Sequence, residues 1–327
     1  MTILLTGGMG AIGSWVAREL LEGGHEVVLY DSRPDYTLVS DLRDRLDIVF
    51  GDLLDLPALI RTVLDHKVEY ILHLAAMMPP QAQANPYQGF QVNAQGTVNV
   101  LEAARIGHVR RLVYTSSKGA YGPIRGEFGH PTYRPVTEDY PTRPNSVYGA
   151  TKLAGEHMAW NYLRNYGLDF VAVRFGSTYG PGKLARHGIV GIHSRIIESA
   201  MAGQEIRIPQ GAEQIDDLVY NADTAHAVVL ACFAEGLEHR VFNIASGVPS
   251  TLTDLADAVK AVLPQAMIEI GPGLDYYGGG GGYSVFDISR ASKELGYSPR
   301  FTLEEGVRHY VETLRRLDIP PLGEIAQ

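Results

Sequence analysis

The chain has 327 residues, of which 45% are hydrophobic and 20% charged, with a formal net charge of −9. That composition is ordinary for a water-soluble globular protein with ample length for a large core. The acidic balance argues against a nucleic-acid footprint or an anionic membrane surface, and a lone cysteine, Cys232, excludes an internal disulfide and any multi-cysteine metal site.

The first stretch reads TILLTGGMGAIGSWVARELL from Thr2 to Leu21. Ile3, Leu4 and Leu5 form the short apolar run expected of a buried parallel strand. Glycines follow at Gly7, Gly8, Gly10 and Gly13, and helical periodicity begins at Ile12. The spacing predicts a phosphate cradle. Gly7 permits a tight turn, Gly10 admits a pyrophosphate close to the backbone, and Gly13 lets the helix pack on the strand. The open amides of Ala11, Ile12 and Gly13 at the helix start would meet the phosphate charge. A second apolar strand, His25 to Tyr30, ends at Asp31-Ser32. An acidic residue roughly 20 positions after such a loop is placed to bond the adenosine ribose. Together these segments predict a βαβ dinucleotide-binding unit. Asp31 favours NAD, since a ribose phosphate would sit against its charge, while Arg33 nearby is the group that would instead receive that phosphate.

Further strands are expected at Asp47–Phe50, Tyr70–Leu74, Arg111–Tyr114 and Phe170–Val173, with helices at Leu56–Leu64, Tyr87–Ile106 and Tyr148–Tyr166 between them. The alternation predicts a Rossmann-type doubly wound parallel sheet over residues 1–175. From Gly176 the pattern changes. Gly180-Pro181-Gly182 breaks the chain, and a helix is expected at Ile189–Met201. A strand at Val241–Ile244 and helices at Leu252–Val262 and Leu303–Leu314 follow. Residues 176–327 read as a smaller, mainly substrate-binding lobe, with segments that return to the sheet. Gly278 to Gly282 is five glycines in a row, read as a surface connection or a mobile loop over the site. Cys232 lies in an apolar helical pattern and reads as a buried thiol. The chain opens directly on its first strand, leaving no room for a signal peptide, and no apolar run is long enough to span a bilayer. A cytoplasmic protein is expected.

Strand ends on one edge of such a sheet form a ligand crevice. The polar candidates there are Asp52, His73, and Thr115-Ser116-Ser117. Asp52 reads equally as a ligand for the adenine edge and as a cap for the helix near Leu56. Ala75 and Ala76 leave room for a flat ring. Tyr148 and Lys152 lie four apart, hence on one helix face. An ammonium near a phenol favours phenolate, and a phenol so tuned can exchange a proton with a substrate hydroxyl while hydride moves to a nicotinamide.

With these residues in place, the chain resembles the extended short-chain dehydrogenases/reductases of the NAD-dependent epimerase/dehydratase group. The marks run nearly the whole length: Thr6 to Gly13, Gly51-Asp52-Leu53, His73-Leu74-Ala75-Ala76, Asn93 with Gly96-Thr97, Ser116-Ser117 leading to Ala120-Tyr121-Gly122, Tyr148 to Lys152, and Tyr179-Gly180-Pro181. The resemblance implies Tyr148 as acid/base, Lys152 as its tuner and nicotinamide-ribose ligand, and Ser117 as a hydroxyl that orients substrate. It implies that Asn93 supports the central helix near the site and that His73 belongs to the strand end rather than to a metal site. Expected NAD contacts are Gly7, Gly10, Ala11, Ile12, Gly13, Asp31, Ser32, Asp52, Leu53, Leu74, Ala75, Ala76, Asn93, Thr115, Tyr148 and Lys152. Expected substrate contacts are Met78, Ser117, Lys118, Tyr148, Ser177 and Arg186. No metal is expected.

The substrate half departs from the nucleotide-sugar members of that group. Asp216 stands where they usually carry arginine, Ser177 where asparagine is usual, and Gly182 where arginine is frequent; the late arginine before Val285-Phe286-Asp287 is replaced by glycine and tyrosine. Arginine forks suit diphosphates, and Asp216 is expected to repel one. Lys183, Arg186 and His187 remain as candidates for an anionic substrate or as a solvated loop. Three functions follow for testing: oxidation or reduction of a secondary alcohol on a small polyhydroxylated or acidic sugar-like molecule, a nucleotide-sugar epimerase or dehydratase with altered anchors, and a cofactor-sensing binding protein. The helices at Tyr87–Ile106 and Tyr148–Tyr166 resemble those that pair as a four-helix interface in dimers of that group, and both carry apolar residues beyond a single stripe, including Val98, Leu101, Met158 and Leu163; the resemblance implies a two-fold homodimer.

Overall fold

The computed structural model describes residues 1–187, 191–277 and 282–322, with the side chains of Arg186 and His187 left out. In chain order the strands are β1 Thr2–Thr6, β2 Glu26–Asp31, β3 Asp47–Phe50, β4 Tyr70–His73, β5 Arg111–Ser117, β6 Asp169–Phe175, β7 Ser177–Tyr179, β8 Ile206–Ile208, β9 Asp216–Tyr220, β10 Val241–Ile244, β11 Pro249–Ser250 and β12 Ile268–Ile270. The helices are α1 Gly13–Glu22, α2 Leu56–Asp65, α3 Pro79–Ala84, α4 Pro86–Phe90, α5 Gly96–Ile106, α6 Val147–Tyr166, α7 Lys183–His187, α8 Ile192–Met201, α9 Asn221–Phe233, α10 Leu252–Val262, α11 Ser289–Leu295 and α12 Leu303–Arg316.

Seven strands form one parallel sheet in the order β10-β6-β5-β4-β1-β2-β3. Period-two alternation divides its side chains between two cores. Ile3, Leu5, Val27, Leu29, Val113, Val171 and Phe242 point to one face, where α1, α9 and α11 cover them. Leu4, Val28, Ile71, Leu112, Tyr114 and Phe170 point to the other, under α2, α5 and α6. Both faces are buried, which is why these strands read as unbroken apolar runs. A third core joins β9 with α8, α10 and α12 through Ile196, Leu218, Leu255, Val259, Val307 and Tyr310. Smaller ladders, β11-β9-β7 and β12-β8, complete the part built after β6.

Local chemistry sets the boundaries. Ser146 caps α6 by accepting from the Gly149 amide at 3.1 Å, and Gly167 ends it at φ 71°. Thr251 with Asp254, and Thr302 with Glu305, close capping boxes on α10 and α12. The helix expected at Tyr87–Ile106 is interrupted: a π turn at Gln91–Gln95 lies between α4 and α5. The extra residue per turn there re-aims Asn93 into the site. Val241–Ile244 pairs in parallel with β6, so this late segment extends the main sheet. Cys232 is buried on α9. No helix among the described residues is long and apolar enough to cross a membrane. Of the glycine run, only Gly282 lies within the described residues.

Candidate active site

The C-terminal ends of β1, β2, β4, β5 and β6 meet at one edge of the sheet. Strand order reverses between β1 and β4, and the crevice opens there. Gly7 sits at φ +70°, and a Cβ on it would come within 2.8 Å of the Ala75 backbone. A Cβ on Gly13 would lie 2.7 Å from Gly8 Cα. Only glycine permits this packing of loop, helix and neighbouring strand end. No side chain caps α1 at Ile12, so the helix start presents backbone amides to a ligand. Asp31 ends β2 and accepts from the Met9 and Arg33 amides, both at 3.4 Å; Ser32 is exposed beside it. These features suit the pyrophosphate and ribose of a dinucleotide.

The reading of Asp52 as the cap of α2 does not hold, because Asp55 caps that helix by accepting from the Ala58 amide at 3.0 Å. Asp52 accepts instead from the Leu54 amide at 2.9 Å, and its carbonyl receives the Tyr30 hydroxyl at 3.0 Å. Leu53 is buried, its carbonyl held by Asn99 Nδ2 at 2.8 Å. The β4 end is fixed by a relay. Thr97 donates to the Asn93 carbonyl at 2.6 Å, which leaves its oxygen to accept from His73 Nε2 at 3.0 Å; His73 Nδ1 then accepts from Thr6 at 2.6 Å. Burial holds this imidazole down at about 3, neutral. Leu74 and Ala75 donate to Thr6 from their amides. Asn93 clamps Met77 through both its amide and its carbonyl, at 2.7 and 2.9 Å, which positions Met78 at the start of α3.

Ser117 ends β5, its hydroxyl accepts from the Gly119 amide at 3.1 Å, and it acts on the Tyr148 phenol, favouring the charged form. Lys152, one turn along α6, donates to the Thr115 carbonyl at 2.7 Å, and Thr115 Oγ1 donates to the His73 carbonyl at 2.9 Å. The expected depression of the phenol is not what the protein's own groups produce. Burial pushes Tyr148 up to about 12, with Ser117 opposing it. Burial likewise brings Lys152 down to about 7, opposed by Glu156. Glu156 is itself held by Arg174 at 2.9 and 2.6 Å and by Ser116 at 2.5 Å, a buried network under the site that the sequence reading missed.

Across the crevice, Lys118 Nζ donates to Ser177 at 2.5 Å and to both Asp216 oxygens at 3.1 and 3.2 Å. Ser177 also donates to Asp216, and Tyr276 donates to it at 3.3 Å. Asp216 is 1% exposed, so the expectation that its charge would meet a diphosphate directly is corrected: donors of this chain already surround it. Arg186 lies on α7, with its side chain outside the described residues. Asn221, also missed, ties the cofactor loop to the lobe by donating to the Ala11 and Pro181 carbonyls at 2.8 and 3.2 Å. An asparagine directly after the apolar run Leu218–Tyr220 was its only signal.

Residues 3–245 match the family described as NAD dependent epimerase/dehydratase. The UDP-glucose 4-epimerase of Mycolicibacterium smegmatis is 32% identical over 322 residues, covering 96% of this chain and 99% of that protein. Among solved structures, the UDP-glucose 4-epimerase of Thermotoga maritima with UDP-glucose superimposes with a TM-score of 0.83 at 28% identity, covering 97% of this chain and 99% of that one. The Thermus thermophilus UDP-glucose 4-epimerase in complex with NAD gives a TM-score of 0.80 at 28% identity, covering 96% and 99%.

Proposed function

The chain belongs to the NAD-dependent epimerase/dehydratase family, and from that premise we propose that it moves hydride between NAD and a secondary alcohol carbon of a small polyhydroxylated or acidic sugar-like substrate. The observation that carries the chemistry is Lys152 Nζ, held on the Thr115 carbonyl 5.6 Å from the centre of the Tyr148 ring, with Ser117 acting on the same phenol. NAD supplies the hydride acceptor and, in reverse, the donor. Gly7, Gly10 and Gly13 with the α1 amides would hold its pyrophosphate, and Asp31 its adenosine ribose. In the oxidising direction the substrate C–H bond gives up hydride, the hydroxyl proton passes to the Tyr148 oxygen, and a carbonyl forms. Ser117 orients that hydroxyl, and Lys152 stabilises the charged phenol oxygen. Residues 176–327 are read as mainly substrate-binding.

The small-substrate reading rests on the enclosed Lys118–Ser177–Asp216 cluster, which leaves no arginine fork at the positions where one would grip a diphosphate. A second reading, nucleotide-sugar epimerisation or dehydration through a transient ketone with retained NAD, is supported by the near-full-length likeness to UDP-glucose 4-epimerases. Incubation with NAD and a panel of polyols, aldoses and aldonates, followed at 340 nm, separates them. Steady NADH release supports net oxidation. Conversion of UDP-glucose without net NADH, or a micromolar dissociation constant for UDP or dTDP, overturns it.

A further inference from the structure

Two buried polar groups near the crevice have no part in this scheme. Lys183, at the start of α7, is 8% exposed, and among the described residues no carboxylate is paired with it. Among the described residues, the Ser284 hydroxyl, 1% exposed, has no hydrogen-bond partner. Burying an ammonium without a counter-charge is costly and is normally offset by a partner. Burial alone brings this amine down to about 7.

Its place in the fold points inward. The Lys183 amide donates to the Gly180 carbonyl at 3.1 Å. Gly182, just before it, packs where a Cβ would lie 3.5 Å from Ala11 of the cofactor loop. On the other side its charge acts on buried His193. His193 Nε2 lies 3.2 Å from the Tyr276 hydroxyl, which donates to Asp216. Asp216 holds Lys118, the residue after Ser117. The Ser284 amide joins the same carboxylate at 3.3 Å. The polar contacts thus lead from His193, on which the Lys183 charge acts, through Tyr276 and Asp216 to Lys118, the neighbour of Ser117 in the chain.

Charge along these contacts does not balance. Among the described residues, Lys118 and Lys183 bring two cationic side chains, and Asp216 brings one carboxylate that Lys118 already neutralises. His193 is held neutral, near 4, by burial. The surplus among the described residues is one ammonium, a point charge that matches one singly charged anion rather than a diphosphate. Tyr276, Tyr277 and Tyr283 crowd the same wall, the last two stacked at 5.7 Å.

Building on the small-substrate reading, we propose that Lys183 anchors a carboxylate of the substrate, which is therefore a short polyhydroxylated acid oxidised at a secondary hydroxyl. The nearness of Gly182 to Ala11 offers one rival source of the same charge, a cofactor phosphate, and the test separates the two. D-gluconate and D-threonate are compared with D-glucose and xylitol as substrates and as calorimetric ligands of the NADH-loaded protein, using the parent, Lys183→Met and Lys183→Arg. NAD affinity and thermal melts are measured on each. The acids should be favoured, and Lys183→Met should weaken them by about 30-fold or more, the usual consequence of removing one partner of a buried charge pair. NAD affinity and response to the neutral compounds should hold, and Lys183→Arg should recover part of the loss. Weaker NAD binding with unchanged acid affinity would assign the amine to the cofactor and overturn the proposal, as would failure of both acids to bind. Equal, Tyr148-dependent oxidation of the neutral polyol removes the Lys183 assignment and leaves the small-substrate reading standing. Tyr148-dependent conversion of UDP-glucose removes both.

Discussion

Lys152 Nζ hydrogen-bonds the Thr115 carbonyl at 2.7 Å and stands 5.6 Å from the centre of the Tyr148 ring. The lysine therefore locks α6 to the end of β5 as well as facing the phenol. Its amine is brought from 10.5 to about 7 by burial. A folded value below the unfolded one contributes stability above the unfolded pKa that is lost as pH falls through about 7. Melts of the parent should show this loss, and Lys152→Met should lack it. In alcohol oxidation, where Tyr148 must accept a proton, the rate should rise with pH. Lys152→Met should shift that rise upward by roughly one pH unit or more. An unshifted profile would remove Lys152 as the tuner.

Tyr148→Phe keeps the ring and removes the transferable proton. Turnover should fall by about two to four orders of magnitude with NAD affinity retained, as measured by steady-state rates and calorimetry. Retention of most activity would show that another group handles the proton.

Asp31 lies at the β2 end, where a ribose phosphate would meet its charge. The protein should bind NAD more tightly than NADP, and Asp31→Ala should narrow the gap by about tenfold. Tighter NADP binding by the parent would defeat this assignment.

Asp217, 1% exposed, accepts from the Ser246 amide and hydroxyl, the Gly247 amide and the Phe286 amide at 2.6 to 3.1 Å. It binds the loops after β10 and before α11 to β9. Asp217→Ala strands these donors and should cost roughly 3 kcal/mol of stability, read by denaturant titration. Burial raises the carboxyl from 3.8 to about 6. The proton is thus held more tightly in the fold, and the associated stability is present below 3.8 and lost as pH rises through about 6. Asp217→Asn should abolish that decline.

For the homodimer, the interface residues need revision. Leu101 is fully buried in the sheet core and Leu163 packs against it, so neither is spare. Tyr87, Phe90 and Tyr166 are 74%, 57% and 60% exposed on α4 and α6, with Met158 at 36%. Light scattering should give twice the monomer mass, and Tyr87→Glu with Phe90→Glu should reduce it to one. A monomeric parent would end the proposal.

The sequence by itself determined the parallel sheet and the cofactor edge, because those features are local. Apolar runs such as Leu4-Leu5 and Val27-Val28-Leu29 bury both faces, Gly7, Gly10 and Gly13 have spacings set by backbone sterics, and Tyr148 with Lys152 share one helix turn. Tertiary structure decided everything that depends on partners distant in the chain. Asp216 reads as a free repelling charge until Lys118, 98 residues away, is seen against it. Lys152 reads as a phenol's neighbour until the Thr115 carbonyl and the depth of burial appear. A π turn, invisible to helical periodicity, aims Asn93 at Met77. The reason is one of range: backbone preferences act over a few residues, whereas desolvation and charge pairing depend on which surfaces the fold brings together.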